Sequence, residues 1–359
     1  MLSGVVRRSG TGVASARCAL EKMPDQRLIT MGPVCLALAR ERTSMRTEKI
    51  EYFSGSDRVR ALWRTPSQTD GPMPAIIQGP GWLGLKDADA YERYHRGFTD
   101  AGFGVLAIDY RGFGESEGDE PGILSPSRQL EDLVNGVTYL TTRVDVLTAA
   151  IGAYATGGTG GGNVVLLAEA DQRVLAVVSQ VPVADGRDWL HRMRSEHEWL
   201  DYLTELEQDR RERVVTGKSR LVHPREEIMV QTPERKTSGF KKDVDAKIPS
   251  AVPLSMVDAL LTYRPILAAT GLTTPLLVVA VENDATTPTD HAVAIFEAAA
   301  GPKRLIIQRH TSHYAAYGKY ADVVIPEMVA WFQEHLHAPG DVVVRSGPRD
   351  CSPDVALPT

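Results

Sequence analysis

With 359 residues, 43% of them hydrophobic and 24% charged, the chain is long enough for one large domain with an insertion, or for two ordinary domains. Its net charge of −6 argues against nucleic acid or an anionic membrane as the main partner. No apolar run approaches the ~18–20 residues of a membrane span. The three cysteines, Cys18, Cys35 and Cys351, all lie near the termini. A core between Met45 and Gly340 therefore relies on neither disulfides, nor a cysteine nucleophile, nor a thiolate metal site. This cysteine usage points to a reducing, cytoplasmic compartment.

Residues 1–44 carry seven Lys/Arg against three acids, and their apolar piece Gly32–Ala39 is short and far from the start for a signal peptide. We read 1–44 as a disordered extension or the product of an upstream start, in preference to a transit-like leader. From Met45 the pattern becomes regular. Glu48–Phe53 and Val59–Trp63 flank Ser54-Gly55-Ser56 and predict an antiparallel hairpin. Pro74–Gln78 reads as a buried strand, Ala90–Ala101 as a helix, and Gly104–Ile108 as a strand ending at Asp109. Ser125–Arg143 has helical spacing, with Leu130, Leu133, Val137 and Leu140 on one face. Ala149–Ala155 predicts a strand, Gly161–Glu169 a helix, and Val174–Val181 a strand. Between about 186 and 263 the texture turns polar, helical over Glu196–Arg213, then loop-rich with Pro224, Pro233, Pro249 and Pro253. Pro275–Val281 (strand), His291–Ala300 (helix), Lys303–Gln308 (strand) and Tyr320–His335 (helix) complete the pattern. The tail, 339–359, reads as disordered.

Strands alternating with helices imply a mostly parallel sheet with helical crossovers. The core is then 45–185 with 264–338, and 186–263 is a cap insertion. Such sheets deliver functional groups at the carboxyl ends of their strands. One of these ends is unusual. Ile151–Ala155 runs into Thr156-Gly157-Gly158-Thr159-Gly160-Gly161-Gly162-Asn163, a glycine-packed turn between a strand and a helix.

The order of motifs over roughly 47–338 resembles the α/β-hydrolase superfamily, most like capped bacterial members near dienelactone hydrolases, acyl esterases and the peptidases that share this sheet. Gly79-Pro80-Gly81-Trp82 follows the third strand, where the family places half of its oxyanion hole. Asp109-Tyr110-Arg111-Gly112-Phe113-Gly114-Glu115-Ser116 matches a turn after the fourth. Glu282-Asn283-Asp284 and Ser312-His313-Tyr314 follow later strands, where the family keeps its acid and its histidine. The order nucleophile, acid, histidine is the family's.

The resemblance implies an α/β-hydrolase fold and a site built as follows. His313 is the general base, with His310 a nearby decoy. Asp284 orients it and stabilises the imidazolium, with Glu282 the rival carboxylate. For the nucleophile two registers stay open. Gly157-Gly158-Thr159-Gly160-Gly161 fits Gly-x-Ser-x-Gly with Thr159 as the attacking hydroxyl, crowded by its methyl. The strand end at Ala155 instead puts the serine position at Gly157, and an elbow at Gly157 or Gly158 leaves no side-chain nucleophile. In the first register the oxyanion hole is the backbone of Trp82 (or Gly81) with Gly160. Gly81, Trp189, Trp199 and Tyr314 are candidates for substrate contact, packing of cap helices being the alternative for the tryptophans.

Other readings are weaker. No Gly-Lys-Ser/Thr follows the glycine run, and Asn163 and Val165 break the two Gly-x-Gly-x-x-Gly frames. His310-x-x-His313 and His335-x-His337 lack a carboxylate pattern for a metal. Glu205–Arg213 is a solvated helix face. The expectation is therefore a hydrolase of an ester, thioester or amide of a small to medium acyl substrate, using a Thr-His-Asp triad and needing no cofactor or metal. Its partner is a small-molecule substrate rather than nucleic acid or membrane, and a homo-oligomer stays open. The alternatives are a nucleophile-less enzyme in which His313 and Asp284 activate water or move a proton (a C–C hydrolase, lyase or cyclase), and a non-catalytic ligand-binding homologue.

Overall fold

The computed structural model describes residues 45–119, 121–237 and 247–336. The expectations for 1–44 and 339–359 lie outside the described residues, as does part of 186–263.

β1 (Arg46–Ser54) and β2 (Asp57–Thr65) form the antiparallel hairpin, closed where Ser54 faces Asp57. β3 (Met73–Gln78), β4 (Gly104–Ile108), β5 (Val146–Thr156), β6 (Val174–Gln180), β7 (Leu276–Val281) and β8 (Lys303–Gln308) complete an eight-stranded sheet in the order β1-β2-β4-β3-β5-β6-β7-β8. β2 meets β4 antiparallel, and from β4 to β8 every pairing is parallel. Parallel strands are covered on both faces and so read as unbroken apolar runs rather than alternating ones. β4 and β7 are buried at every position.

The two faces are separate cores. α1 (Asp89–Asp100) and α11 (Ala321–His335) cover one face, where Phe98, Met328 and Phe332 pack on Ile76, Val105, Tyr154 and Val279. α2 (Pro126–Thr142), α3 (Gly158–Ala170) and α9 (Thr289–Ala298) cover the other, against Ile77, Leu106, Ala153 and Val278. Between β6 and β7 the chain leaves the sheet as α4 (Gly186–Arg192), α5 (Glu196–Thr216), α6 (Pro233–Thr237), α7 (Met256–Leu261) and α8 (Pro265–Ala269). α10 (His313–Tyr317) follows β8.

Two segments differ from expectation. α3 begins at Gly158 rather than Gly161, because its glycines are packing residues and not loop. A Cβ on Gly160 would lie 2.9 Å from the Gly81 Cα, one on Gly161 2.9 Å from the Gln180 carbonyl, and one on Gly162 2.2 Å from the Tyr263 hydroxyl. The helix can approach its neighbours this closely only without side chains there. His313, expected in a loop, instead opens the short helix α10.

Candidate active site

β5 lies between β3 and β6, so its carboxyl end is at the centre of the molecule's functional edge. It ends at Thr156, and the chain turns into α3 at Gly157, whose φ of 83° and ψ of 152° suit glycine almost alone. The Gly157 carbonyl already accepts the Gly161 amide at 2.7 Å. The first amides of α3 have no acceptor within the helix, and its positive dipole end sits at this turn. A Cβ at Gly157 would meet only the Gly81 Cα at 3.2 Å and the Trp82 amide nitrogen at 3.9 Å. The elbow position therefore stands close against the Gly81–Trp82 backbone, at the edge of the cavity that Gly157 lines.

Two expected residues lie elsewhere in the structure than the first register places them. Thr159 is the second residue of α3, buried, and its Oγ1 has no hydrogen-bond partner. Its carbonyl accepts the Tyr263 hydroxyl at 2.9 Å. The strand runs to Thr156 and the helix starts at Gly158, so the turn comes two residues too early for Thr159, and the structure does not bring its hydroxyl to His313. Gly160, one residue further into the helix, is pressed on the Pro80–Gly81 backbone and forms no part of the cavity wall. The amide that follows the elbow residue is that of Gly158.

His313 and Asp284 do come together. Nδ1 of His313 lies 2.7 Å from Oδ2 of Asp284, and both side chains are buried. The other carboxylate oxygen accepts the amides of Thr286 at 2.7 Å and Thr287 at 2.9 Å, which hold Asp284 in place. Glu282 points elsewhere, to Arg309. His310 lines a different, more open groove. Thr287 Oγ1 lies 3.3 Å from Nδ1. On the far side of the ring, Nε2 is 2.9 Å from the Tyr317 hydroxyl. Among the described residues, four non-glycine residues have positive φ, namely Leu83, Val181, Asn283 and His310. They fall in the segments that follow β3, β6, β7 and β8, the rim from which the site is built, and such strain gathers at functional sites.

The cavity between these groups has a volume of about 70 Å³. One water needs only ~10–15 Å³ by this kind of measure, so the space beside Gly157 holds more than one. Gly81, Trp82, Thr156, Gly157, Gly158 and His313 line the catalytic side. Tyr91, Trp189, Tyr314 and Tyr317 make the walls largely aromatic, Met229 adds a thioether, and Arg225 and Arg235 add guanidinium groups from the segment between β6 and β7. Trp82 and Trp189 meet edge to face at 5.7 Å, and the Trp189 indole N–H donates to the Thr286 carbonyl at 2.9 Å. Burial pushes the Tyr314 phenol up to about 12. Trp199 is a further correction. It stacks on His191 at 5.0 Å, under the Arg187 guanidinium, and does not reach the cavity. It packs α5 on α4.

Sequence reasoning missed Tyr317, Tyr91, Met229, Arg225 and Arg235 as cavity residues. Tyr317 had a usable signal, since His313-Tyr314-Ala315-Ala316-Tyr317 puts two rings four residues apart, on one face if helical. The arginines sit in a polar, proline-punctuated stretch whose path no local pattern reveals.

Comparison with known proteins bears on the fold and the family. Residues 54–314 match the S15 family, described as X-Pro dipeptidyl-peptidase. An uncharacterized 31.7 kDa protein from the traX-finO intergenic region of Escherichia coli is 31% identical over 293 residues, covering 80% of this chain and 100% of that protein. The quorum-quenching protein AidA of Acinetobacter baumannii is 31% identical over 125 residues, 35% of this chain and 40% of its own. Among solved structures, the α/β hydrolase GrgF from Penicillium sp. sh18 superposes with a TM-score of 0.68 at 19% identity, over 81% of this chain and 99% of that one. DcsB, solved in complex with its substrate analogue, gives 0.68 at 21% identity, over 82% and 99%. At such identities the superpositions speak for the fold alone. The fold, the His313–Asp284 pair at the strand ends and the match over 54–314 lead to one assignment: the chain belongs to the S15 family of the α/β-hydrolase superfamily and is a hydrolase.

Proposed function

We propose that this enzyme cleaves an ester, thioester or amide of a small to medium acyl compound by direct attack of water, without a covalent acyl-enzyme. The observation that carries this reading is Gly157 in the positive-φ turn, where a side-chain nucleophile would stand, opposite an intact His313–Asp284 pair. Removing the side chain leaves room for the water that replaces it. His313 acts as general base, a role worth about 10²–10⁴-fold in rate. Asp284, ionised, holds the Nδ1–H tautomer and stabilises the imidazolium. The amides of Trp82 and Gly158 face the developing oxyanion, each such donor being worth roughly 3 kcal/mol. The aromatic walls exclude bulk water and take the acyl group.

The test uses two probes. A fluorophosphonate reports a nucleophilic hydroxyl directly. Wild type and Thr159→Ala are expected to remain unlabelled, while Gly157→Ser becomes labelled and loses labelling in the Gly157→Ser/His313→Ala double variant. Turnover is read on p-nitrophenyl esters from acetate to octanoate, an acyl thioester and an X-Pro p-nitroanilide. Wild type and Thr159→Ala are expected to agree within about threefold, and His313→Ala to lose at least 10²-fold in kcat. Labelling of wild type that Thr159→Ala abolishes would restore the threonine triad and sink the water mechanism.

A further inference from the structure

The base nitrogen of His313 does meet a hydroxyl, but that hydroxyl is not on the elbow. Tyr317 lies one turn beyond His313 on α10, with ring centroids 4.9 Å apart. Its hydroxyl is 2.9 Å from Nε2. The polarity of that bond follows from the other side of the ring. An ionised carboxylate only accepts, so Nδ1 carries the hydrogen shared with Asp284 at 2.7 Å and Nε2 presents its lone pair. The Tyr317 hydroxyl is therefore the donor. Burial raises the phenol well above its ordinary range, which keeps that proton in place at neutral pH. Tyr317 lines the cavity together with Gly157, Trp82 and Thr156. A water in the cavity therefore finds Nε2 already engaged, and the nearest oxygen joined to it is the phenol's.

The geometry points to Tyr317 as a catalytic residue, the group that carries the proton between the reacting oxygen and His313. The inference rests on the water-attack reading above. In the first step the water oxygen bonds to the acyl carbon, and its proton passes to the Tyr317 oxygen as the Tyr317 proton passes to Nε2. The carbonyl π pair moves to its oxygen, facing the Trp82 and Gly158 amides. His313 becomes imidazolium against Asp284, and Tyr317 ends neutral. In the second step the tetrahedral species collapses and the bond to the leaving group breaks. The leaving oxygen, sulfur or nitrogen takes the Tyr317 proton while Tyr317 recovers one from Nε2. The sum is one water and one acyl substrate consumed, one acid and one alcohol, thiol or amine released, with no net change in the enzyme. Because the phenol never has to ionise fully, its high proton affinity is compatible with the relay.

The deciding experiment compares wild type, Tyr317→Phe and His313→Ala on the substrate panel named above, in mixtures of light and heavy water. Tyr317→Phe keeps the ring and is expected to retain the wild-type Tm within a few degrees, with kcat lowered about 10²-fold or more and KM within about threefold. The wild-type rate is expected to curve with deuterium fraction, since two protons move together, and any residual Tyr317→Phe rate to follow a straight line. A packing role for Tyr317 would not alter that curvature. A Tyr317→Phe enzyme as fast as wild type or faster, with His313→Ala impaired, overturns the relay and leaves water attack standing. A straight wild-type plot overturns it also, even if the variant fails to fold. Turnover by wild type no better than His313→Ala on every substrate overturns the water-attack reading, and the relay with it.

Discussion

At the scale of single residues the proposed mechanism depends on what is missing at Gly157 and on what is present at His313, Asp284 and Tyr317. Gly157 lines the cavity but occupies a backbone region where a Cβ is strained by about 1–3 kcal/mol, and a Cβ there would lie 3.2 Å from the Gly81 Cα. Gly157→Ala is therefore expected to fold with a slightly lowered Tm, to stay unlabelled by fluorophosphonate, and to lose most of its turnover because a methyl group takes the place of the attacking water. A turnover equal to wild type, measured on the same ester panel, would show that water attacks from elsewhere. Asp284 is fixed by two amides and its imidazole partner. Asp284→Asn keeps the volume but offers an amide N–H to Nδ1 and favours the wrong tautomer. Its kcat is expected to fall about 10²–10⁴-fold with KM little changed, and steady-state kinetics decide this.

At the scale of elements, α3 explains why the glycine run was easy to misread. Four glycines of that run serve two different ends. Gly157 makes the turn, and Gly160, Gly161 and Gly162 let the helix lie against the Gly81 backbone, the β6 end and Tyr263. A pattern of residues is the same whether glycine is needed for φ or for close approach, so the local sequence could not choose between Thr159 and Gly157. The length of β5 chose, because the strand extends through Thr156 in register with Gln180 of β6. Gly161→Ala would drive a methyl to 2.9 Å from both the Gln180 carbonyl and the Pro182 Cα, backbone atoms that cannot step aside. It is expected to cost about 1–3 kcal/mol and lower Tm by several degrees in a thermal melt. An unchanged Tm would mean that α3 is less tightly seated than the packing indicates.

At the scale of the whole molecule, the turn after β4 is tied to the segment after β3 and to α2. Asp109 accepts from the buried Lys86 ammonium at 2.5 Å and from the Glu115 amide at 3.0 Å, and Lys86 also reaches Glu115 at 2.7 Å. Arg111 pairs with Asp132 of α2 at 2.5 Å. Lys86 and Lys49 hold the Glu115 carboxyl down to about 2, against an ordinary value of 4.5. The native state therefore favours the ionised form. That contribution is complete above about pH 4.5 and is lost as pH falls toward 2. Glu115 is half exposed, so the effect is modest and screened by salt. Acid unfolding followed by circular dichroism is expected to shift to higher pH in Glu115→Gln, with the gap narrowing at high ionic strength. Among the described residues no helix is long and apolar enough to cross a membrane.

The sequence alone determined the alternation of strands and helices, the mostly parallel sheet and the positions of Asp284 and His313 after their strands. All of these follow from periodicity and from the order of landmarks along the chain, which are local or serial properties. It also carried both registers of the elbow, without a means of choosing. Only the tertiary structure decided that Gly157 makes the turn, that Thr159 faces into packed helix, that Trp199 joins α5 to α4 and that Tyr317 closes on Nε2. Each of those facts depends on where a neighbouring element stops or how closely it approaches. Such distances are set by contacts between residues far apart in the chain, and no window along the sequence contains them.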